Sequence, residues 1–383
     1  MRHPITLLWL AFLPAVAVLA GDDRPSAARR LEDPDWVVRA LVAKNIGDDH
    51  YVFGAQWLRD RLGREKNEYA QAFLLRALLC FETPELAQSG GKELFPCALK
   101  ALKARSPYVQ AQATALLEKL AGGKAATGLK GWEKWWEEQG PAFAFPALPK
   151  SDPPGGIEEV KTHQSTVFEE FIYDARRKGL EVVFVLDQTG SMQGPINAAK
   201  AQILEICEYI HLLIPKYRVG LVTYDDAAAL QIPLTGEYLA IRKRLDALKA
   251  AGGGDFEEGV DKGLKSALDP KMTWSQASKK VLIIIGDAPP HASDLASTLE
   301  RCKDAAAGGW TVNAINVGAA PQTSEAFAQI AAAGKGASVS GAGDGLVEQM
   351  LILSLGKAHE KALSGFVGIL RSMKKADAAL PKP

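Results

Sequence analysis

The sequence predicts a chain of two parts, an α/β domain on a doubly wound, mostly parallel sheet and, before it, a separate all-α domain. Three observations predict this. From Glu181 onward, short apolar runs alternate with segments of helical period. The runs Glu181–Asp187 (EVVFVLD) and Val281–Ile285 (VLIII) are apolar almost throughout, as strands covered on both faces are. Between about Asp33 and Gly140, apolar residues recur at helical spacing instead.

Composition sets the outer limits. The 383 residues are 47% hydrophobic and 23% charged, which excludes a largely disordered chain and allows about two domains. Lys+Arg 45 against Asp+Glu 45 gives no net charge, so no basic field argues for nucleic acid. Four cysteines without CxxC or Cys/His spacing exclude a disulfide scaffold and structural zinc.

Residues 1–20 read as a signal peptide. Met1-Arg2-His3 is a short basic start, and Ile5 to Ala20 is apolar, broken once by Pro14. Val18-Leu19-Ala20 precedes Gly21-Asp22-Asp23, which places cleavage after Ala20. The run is about 16 residues, short of the roughly 20 that span a bilayer, although an uncleaved anchor stays open. A secreted, periplasmic or cell-envelope protein is expected, with no membrane span in the mature chain.

Residues 21–140 are expected to be helical. Trp36, Val37, Ala40 and Leu41 follow the helix-start signal Asp33-Pro34. Tyr69, Phe73, Leu74, Ala77 and Leu78 repeat the period, as do Val109, Ala113, Leu116, Leu117 and Leu120 after Ser106-Pro107. Pro34 and Pro107 leave room for one further pair between them, hence three helix pairs of roughly 36 residues. The two starts resemble those of HEAT-type repeats; an irregular bundle is the alternative. Trp132, Trp135 and Trp136 share one helix face, as a cap on the helical core or as an aromatic platform for a sugar or peptide. Cys80 and Cys97 could pair, and the spacing leaves this open; Cys207 and Cys302 read as buried thiols.

Residues 141–160, rich in proline, read as a linker, residues 161–373 as the α/β domain with flanking helices, and residues 374–383 as a disordered tail. The α/β domain begins with a helix carrying Val167, Phe168, Phe171, Ile172 and Ala175 on one stripe and ending at Gly179. Helices are expected over Pro195–Ile214, Glu237–Lys249, Glu257–Leu268, Asp294–Ala307, around Ser324–Ala333 and over Leu346–Leu363. Further strands are expected at Arg218–Tyr224, Thr311–Val317 and Ala337–Ser340.

In such sheets a ligand binds beyond the carboxyl ends of the strands. Three loops there carry chemistry: Asp187-Gln188-Thr189-Gly190-Ser191-Met192, Gly252-Gly253-Gly254-Asp255, and Gly286-Asp287-Ala288-Pro289-Pro290-His291. Their side chains supply three carboxylates and two hydroxyls. Hard oxygen donors select Mg²⁺, Mn²⁺ or Ca²⁺ over zinc or copper. Five groups leave a coordination position that a partner's carboxylate could fill.

Over roughly Leu180 to Leu355 the chain resembles the von Willebrand factor type A domain. In that family a metal-ion-dependent adhesion site combines a D-x-S/T-x-S loop, a Thr or Asp in a Gly-rich loop, and a later Asp. Asp187, Thr189 and Ser191 match the first loop, Asp255 the Gly-rich position and Asp287 the last. The GGGD-x-x-E run with Glu258 resembles the subgroup with Asp there, except that Glu257 replaces its usual Pro. The resemblance implies a von Willebrand factor A-like fold and a Mg²⁺-dependent protein-binding module, with direct ligation by Thr189 and Ser191. Asp187 and Asp287 would act partly through water, and Asp255 directly or through water. A third carboxylate leaves the loaded site at about −1, which favours metal retention and weakens the pull on an acidic ligand.

The expected function is therefore an exported, non-enzymatic protein that uses a divalent cation, Mg²⁺ with Mn²⁺ or Ca²⁺ as alternatives, to engage a protein partner. Two rivals stand beside it. The metal could merely stiffen the loops while the helical domain binds the partner. A metal-dependent hydrolase outside the cytoplasm is the other, with His291 as its only candidate base. Ser191 lacks the G-x-S-x-G spacing of a nucleophile elbow, and the glycine run lacks the Lys-Ser/Thr of a phosphate loop.

Overall fold

A computed structural model describes residues 26–50, 54–145, 167–225, 229–248, 250, 257–341 and 344–379. The residues expected as a signal peptide, most of those expected as a linker, and Gly252 to Asp255 lie outside the described residues. The chain divides into two compact units, Met1–Gln164 and Ser165–Pro383.

The first unit is helical: α1 (Ser26–Arg30), α2 (Trp36–Asp49), α3 (Gly54–Leu62), α4 (Glu68–Cys80), α5 (Thr83–Gln88), α6 (Gly91–Ala101), α7 (Pro107–Ala121) and α8 (Gly128–Gln139). The starts follow local chemistry. Asp35 caps α2 by accepting from the Val37 N–H, Asn67 caps α4 by accepting from Ala70, and Pro107 opens α7. Helix α2 packs on α4 and α4 on α7, while α3 packs on α6 and α6 on α8, giving two stacked layers. Gly47 permits the α2–α4 approach, since a Cβ there would lie 2.7 Å from the Ala77 Cα. At the start of the stack a buried Arg39–Glu65 pair is bidentate, at 2.7 and 2.9 Å. Trp132 is fully buried, and Phe95 stacks on Trp136 at 4.5 Å and on Trp135 at 5.4 Å, so this face belongs to the core rather than to a sugar platform. All four cysteines are free thiols, Cys80 and Cys97 included.

The second unit contains a six-stranded sheet ordered β3-β2-β1-β4-β5-β6. It runs α9 (Val167–Lys178), β1 (Leu180–Asp187), α10 (Gln193–Leu213), β2 (Tyr217–Tyr224), β3 (Ala229–Thr235), α11 (Tyr238–Ala247), α12 (Val260–Ala267), β4 (Lys279–Gly286), α13 (Leu295–Ala307), β5 (Trp310–Asn316), α14 (Pro321–Ala333), β6 (Lys335–Ser340), α15 (Asp344–Leu355) and α16 (Glu360–Ala378). All pairings are parallel except β2–β3. On one face Val183, Val185, Val222, Leu282, Ile284, Val312 and Ala314 meet Val260, Leu264, Phe327 and Ile330 of α12 and α14. The alternate residues Val182, Phe184, Leu221, Ile283 and Ile315 are equally buried on the other face, as a sheet covered on both sides requires.

Three expectations need correction. Strand β3 is not among the strands expected from the sequence, because Pro233 interrupts its pattern; as an antiparallel edge strand it tolerates the proline. The single helix expected over Leu346–Leu363 is two, broken at Gly356, whose φ of 104° ends α15. Helix α16 then continues to Ala378, through residues assigned to a disordered tail; Lys374 Nζ donates to Glu208 on α10 at 2.6 Å.

Candidate functional site

Strand β1 connects to β2 on one side, while β4, its other neighbour, leads to β5 and β6. The topological switch point therefore lies between β1 and β4, where a doubly wound sheet opens a crevice. Asp187 ends β1 and Asp287 follows β4, one on each side of it.

The first loop is held by its own hydrogen bonds. Asp187 is fully buried, and its Oδ1 accepts from the Thr189 N–H at 2.8 Å and from Thr189 Oγ1 at 2.7 Å. Because the Thr189 hydroxyl donates its proton to Asp187, its lone pairs point elsewhere. Ser191 Oγ is 3.5 Å away, on an exposed residue in the short 3-10 turn Gly190–Met192. Met192 anchors that turn in the core. Three oxygen donors thus share one loop, with solvent on the Ser191 side.

Asp287 is fixed through its backbone. Its carbonyl accepts from Thr323 Oγ1 at 3.0 Å, at the start of α14. Gly318 passes so close that a Cβ there would lie 2.8 Å from the same carbonyl oxygen. The Asn316 carboxamide steadies this loop by accepting from the Gly318 N–H at 2.8 Å and donating to Ser324 at 2.8 Å. Asp287 Oδ1 is buried and has no hydrogen-bond partner among the described residues. Asp255, the fifth candidate, lies outside the described residues.

Neighbouring groups that the sequence reading passed over also converge here. Tyr224 pairs with Asp187 across β1 and β2 and is fully buried. Burial, and then the charges of Asp187, Glu258 and Asp287, push its phenol well above the usual value. Glu258, at the end of the GGGD-x-x-E run, is 4% exposed, and its N–H donates to the Pro289 carbonyl at 2.9 Å. Gln188 Nε2 donates to Asp225 at 2.7 Å. Tyr224 reaches the site through strand register, a relation that linear spacing does not display. His291 lies with Nδ1 3.7 Å from Glu257, on the rim.

The residues present fit a hard divalent cation, the group that this kind of fold implies. All converging donors are oxygens, two carboxylates and two hydroxyls, and two carboxylates neutralise a doubly charged ion. The buried, unpartnered Asp287 Oδ1 is costly alone, and a cation offsets that cost. Among the described residues no three His, Cys, Asp or Glu side chains gather as a metal cluster. Half of the donor set here is hydroxyl, which is why carboxylates alone do not mark it.

The family model of the von Willebrand factor type A domain matches residues 182–289. Solved structures similar to the chain include the SpRpn10 VWA domain, at 14% identity over 46% of this chain and 97% of that one, with a TM-score of 0.38. The conserved hypothetical protein BatB from Bacteroides thetaiotaomicron has 18% identity over 51% of this chain and 100% of that one, with a TM-score of 0.36. Proximal thread matrix protein 1 from the mussel byssus, with a zinc-occupied MIDAS motif, has 17% identity and a TM-score of 0.38; the match covers 46% of this chain and 44% of that one. No curated protein matches the chain.

Proposed function

We propose that this chain, whose residues 182–289 match a von Willebrand factor type A domain, is an exported, non-enzymatic protein that engages a protein partner through a bound divalent cation. The observation that carries the reading is the hydrogen-bonded Asp187–Thr189–Ser191 loop at the end of β1, with Asp287 after the neighbouring strand β4 on the other side of the switch point. Asp187, Thr189, Ser191 and Asp287 would hold the cation, with Asp255 as a fifth ligand. The cation would supply a Lewis-acidic point for a partner's oxygen; the chain's own residues fix where that point stands. Mg²⁺ suits this set, and Mn²⁺ and Ca²⁺ are its competitors.

The leader pattern of residues 1–20 supports export. The two-layer stacking of α2, α4 and α7 on α3, α6 and α8 supports a HEAT-like repeat, which makes the helical unit a second interaction surface or a spacer.

Calorimetric titration of Mg²⁺ into metal-stripped mature protein tests the reading. One saturable site, abolished by Asp187→Ala and by Asp287→Ala, is expected. No binding of Mg²⁺, Mn²⁺ or Ca²⁺ by the unaltered protein overturns it.

A further inference from the structure

We infer that Tyr224 is a positioning residue of the cation site, acting from beneath Asp187 together with Glu258. The inference rests on the cation-site reading above and adds to it a supporting layer that binds no cation itself.

The first observation is a hydroxyl in an expensive place. Tyr224 is fully buried, and its Oη has no hydrogen-bond partner among the described residues. Packing alone would be served by phenylalanine, because a dry, unpaired hydroxyl destabilises the fold. The ring cannot swing the hydroxyl elsewhere. It lies against α12 at Gly263, where a Cβ would come within 2.6 Å of Tyr224 Cδ1.

The second observation is what the hydroxyl faces. Both oxygens border the space beside Gly286, where a Cβ would lie 3.2 Å from Tyr224 Oη and 3.5 Å from Asp187 Oδ2. With no side chain at 286, the two oxygens border one small polar space, the kind of place where a water bridges buried groups. Asp187 Oδ1 already accepts twice from Thr189, so Oδ2 is the oxygen turned toward Tyr224. Glu258 is held on the same rim by a single parallel bridge to Pro290, three residues after Asp287. Three acidic groups, Asp187, Glu258 and Asp287, thus act on one phenol.

In this arrangement the Tyr224 proton is directed at a water shared with Asp187, and Glu258 holds that water's second hydrogen. Asp187 is then fixed on both oxygens, by Thr189 above and through the water below. Outer partners of this kind orient the ligand they touch, and losing one costs about 10- to 100-fold in metal affinity.

The test titrates Mg²⁺ into the metal-stripped full chain as unaltered protein, Tyr224→Phe and Glu258→Gln. Tyr224→Phe should bind one Mg²⁺ about 10-fold or more weakly. Its metal-free melting temperature should change little, since it keeps the buried ring and loses only a water-mediated hydrogen bond. Glu258→Gln, which keeps the shape and removes the charge, should also bind more weakly. Mg²⁺ should produce a near-ultraviolet tyrosine difference spectrum in the unaltered protein that Tyr224→Phe lacks, which a merely structural role would not move. If the unaltered protein binds and Tyr224→Phe binds within about twofold of it, or the difference spectrum persists in the variant, the inference is overturned and the cation site stands. If the unaltered protein binds no Mg²⁺, both readings fall together.

Discussion

Replacing Asp287 with asparagine separates the cost of the site from its use. The substitution keeps size and backbone contacts, so the Thr323 bond to the 287 carbonyl and the close Gly318 approach should survive. Without metal, Asp187 and Asp287 are two carboxylates beside one buried phenol, with Glu258 as a third. At an effective dielectric near 20, two like charges about 4 Å apart repel by about 4 kcal/mol, and less as they separate. Asp287 is only part-buried, so screening brings the figure nearer to 1 kcal/mol. Asp287→Asn should therefore stabilise the metal-free protein by about 1 kcal/mol. The metal response should move the other way. At a free cation concentration of about 100 times Kd, binding stabilises the unaltered protein by about 2.7 kcal/mol. For a unit of roughly 200 residues that is a rise of about 5 to 10 °C in Tm. Asp287→Asn should lose most of this rise. Scanning calorimetry of the full chain, with chelator and with excess Mg²⁺, reads both effects and resolves the two units if they melt separately. A variant that keeps the full metal-dependent shift, or that melts lower without metal, would refute the reasoning.

Other expectations concern the helical unit and the packing of the site. Burial alone would raise the Glu65 carboxyl, but the Arg39 side chain, the Asn67 N–H and Arg61 outweigh it and hold it at about 2. A carboxyl depressed in the folded state stabilises above its unfolded pKa, so stability is lost as pH falls from about 4.5 toward 2; acid titration followed by helical circular dichroism should show about 3 kcal/mol lost across that window, and Glu65→Gln should flatten it. Gly47→Ala drives a methyl into the Ala77 backbone and should destabilise the helical unit by about 1 to 3 kcal/mol in urea unfolding, with Mg²⁺ binding unchanged. Trp132→Ala empties a fully buried site and should cost about 3 to 5 kcal/mol in the same assay. Gly286→Ala keeps every proposed ligand but crowds the gap between Tyr224 and Asp187; it should weaken Mg²⁺ binding in calorimetry while the sheet still forms.

Two of the three candidate loops were legible because their geometry is local. Asp187, Thr189 and Ser191 stand two residues apart after an apolar run, and their mutual hydrogen bonds span only that distance. Asp287 follows the other apolar run in the same way. Strand β3 escaped because its pairing with β2 is set by a neighbouring strand rather than by its own alternation, which Pro233 disturbs. The break at Gly356 escaped because apolar residues continue at helical spacing on both sides, while the left-handed φ of one glycine turns the chain. The aromatic face of Trp132, Trp135 and Trp136 was legible as a face, but whether Phe95 and Phe143 covered it was not.

The sequence by itself determined the alternation of buried strands and helices, and with it the rim on which Asp187 and Asp287 stand. Period and polarity are written residue by residue, and an apolar run ending in an acid carries its own position. Only the tertiary structure decided which strands became neighbours. That order places the switch point between β1 and β4 and brings Tyr224 against Asp187. It also folds Glu258 back onto Pro290 and lets Thr323 and Gly318 grip the Asp287 backbone. The physical reason is that a ligand loop needs only a few consecutive residues, whereas its support comes from chain segments that the sheet's pairing brings together across long separations.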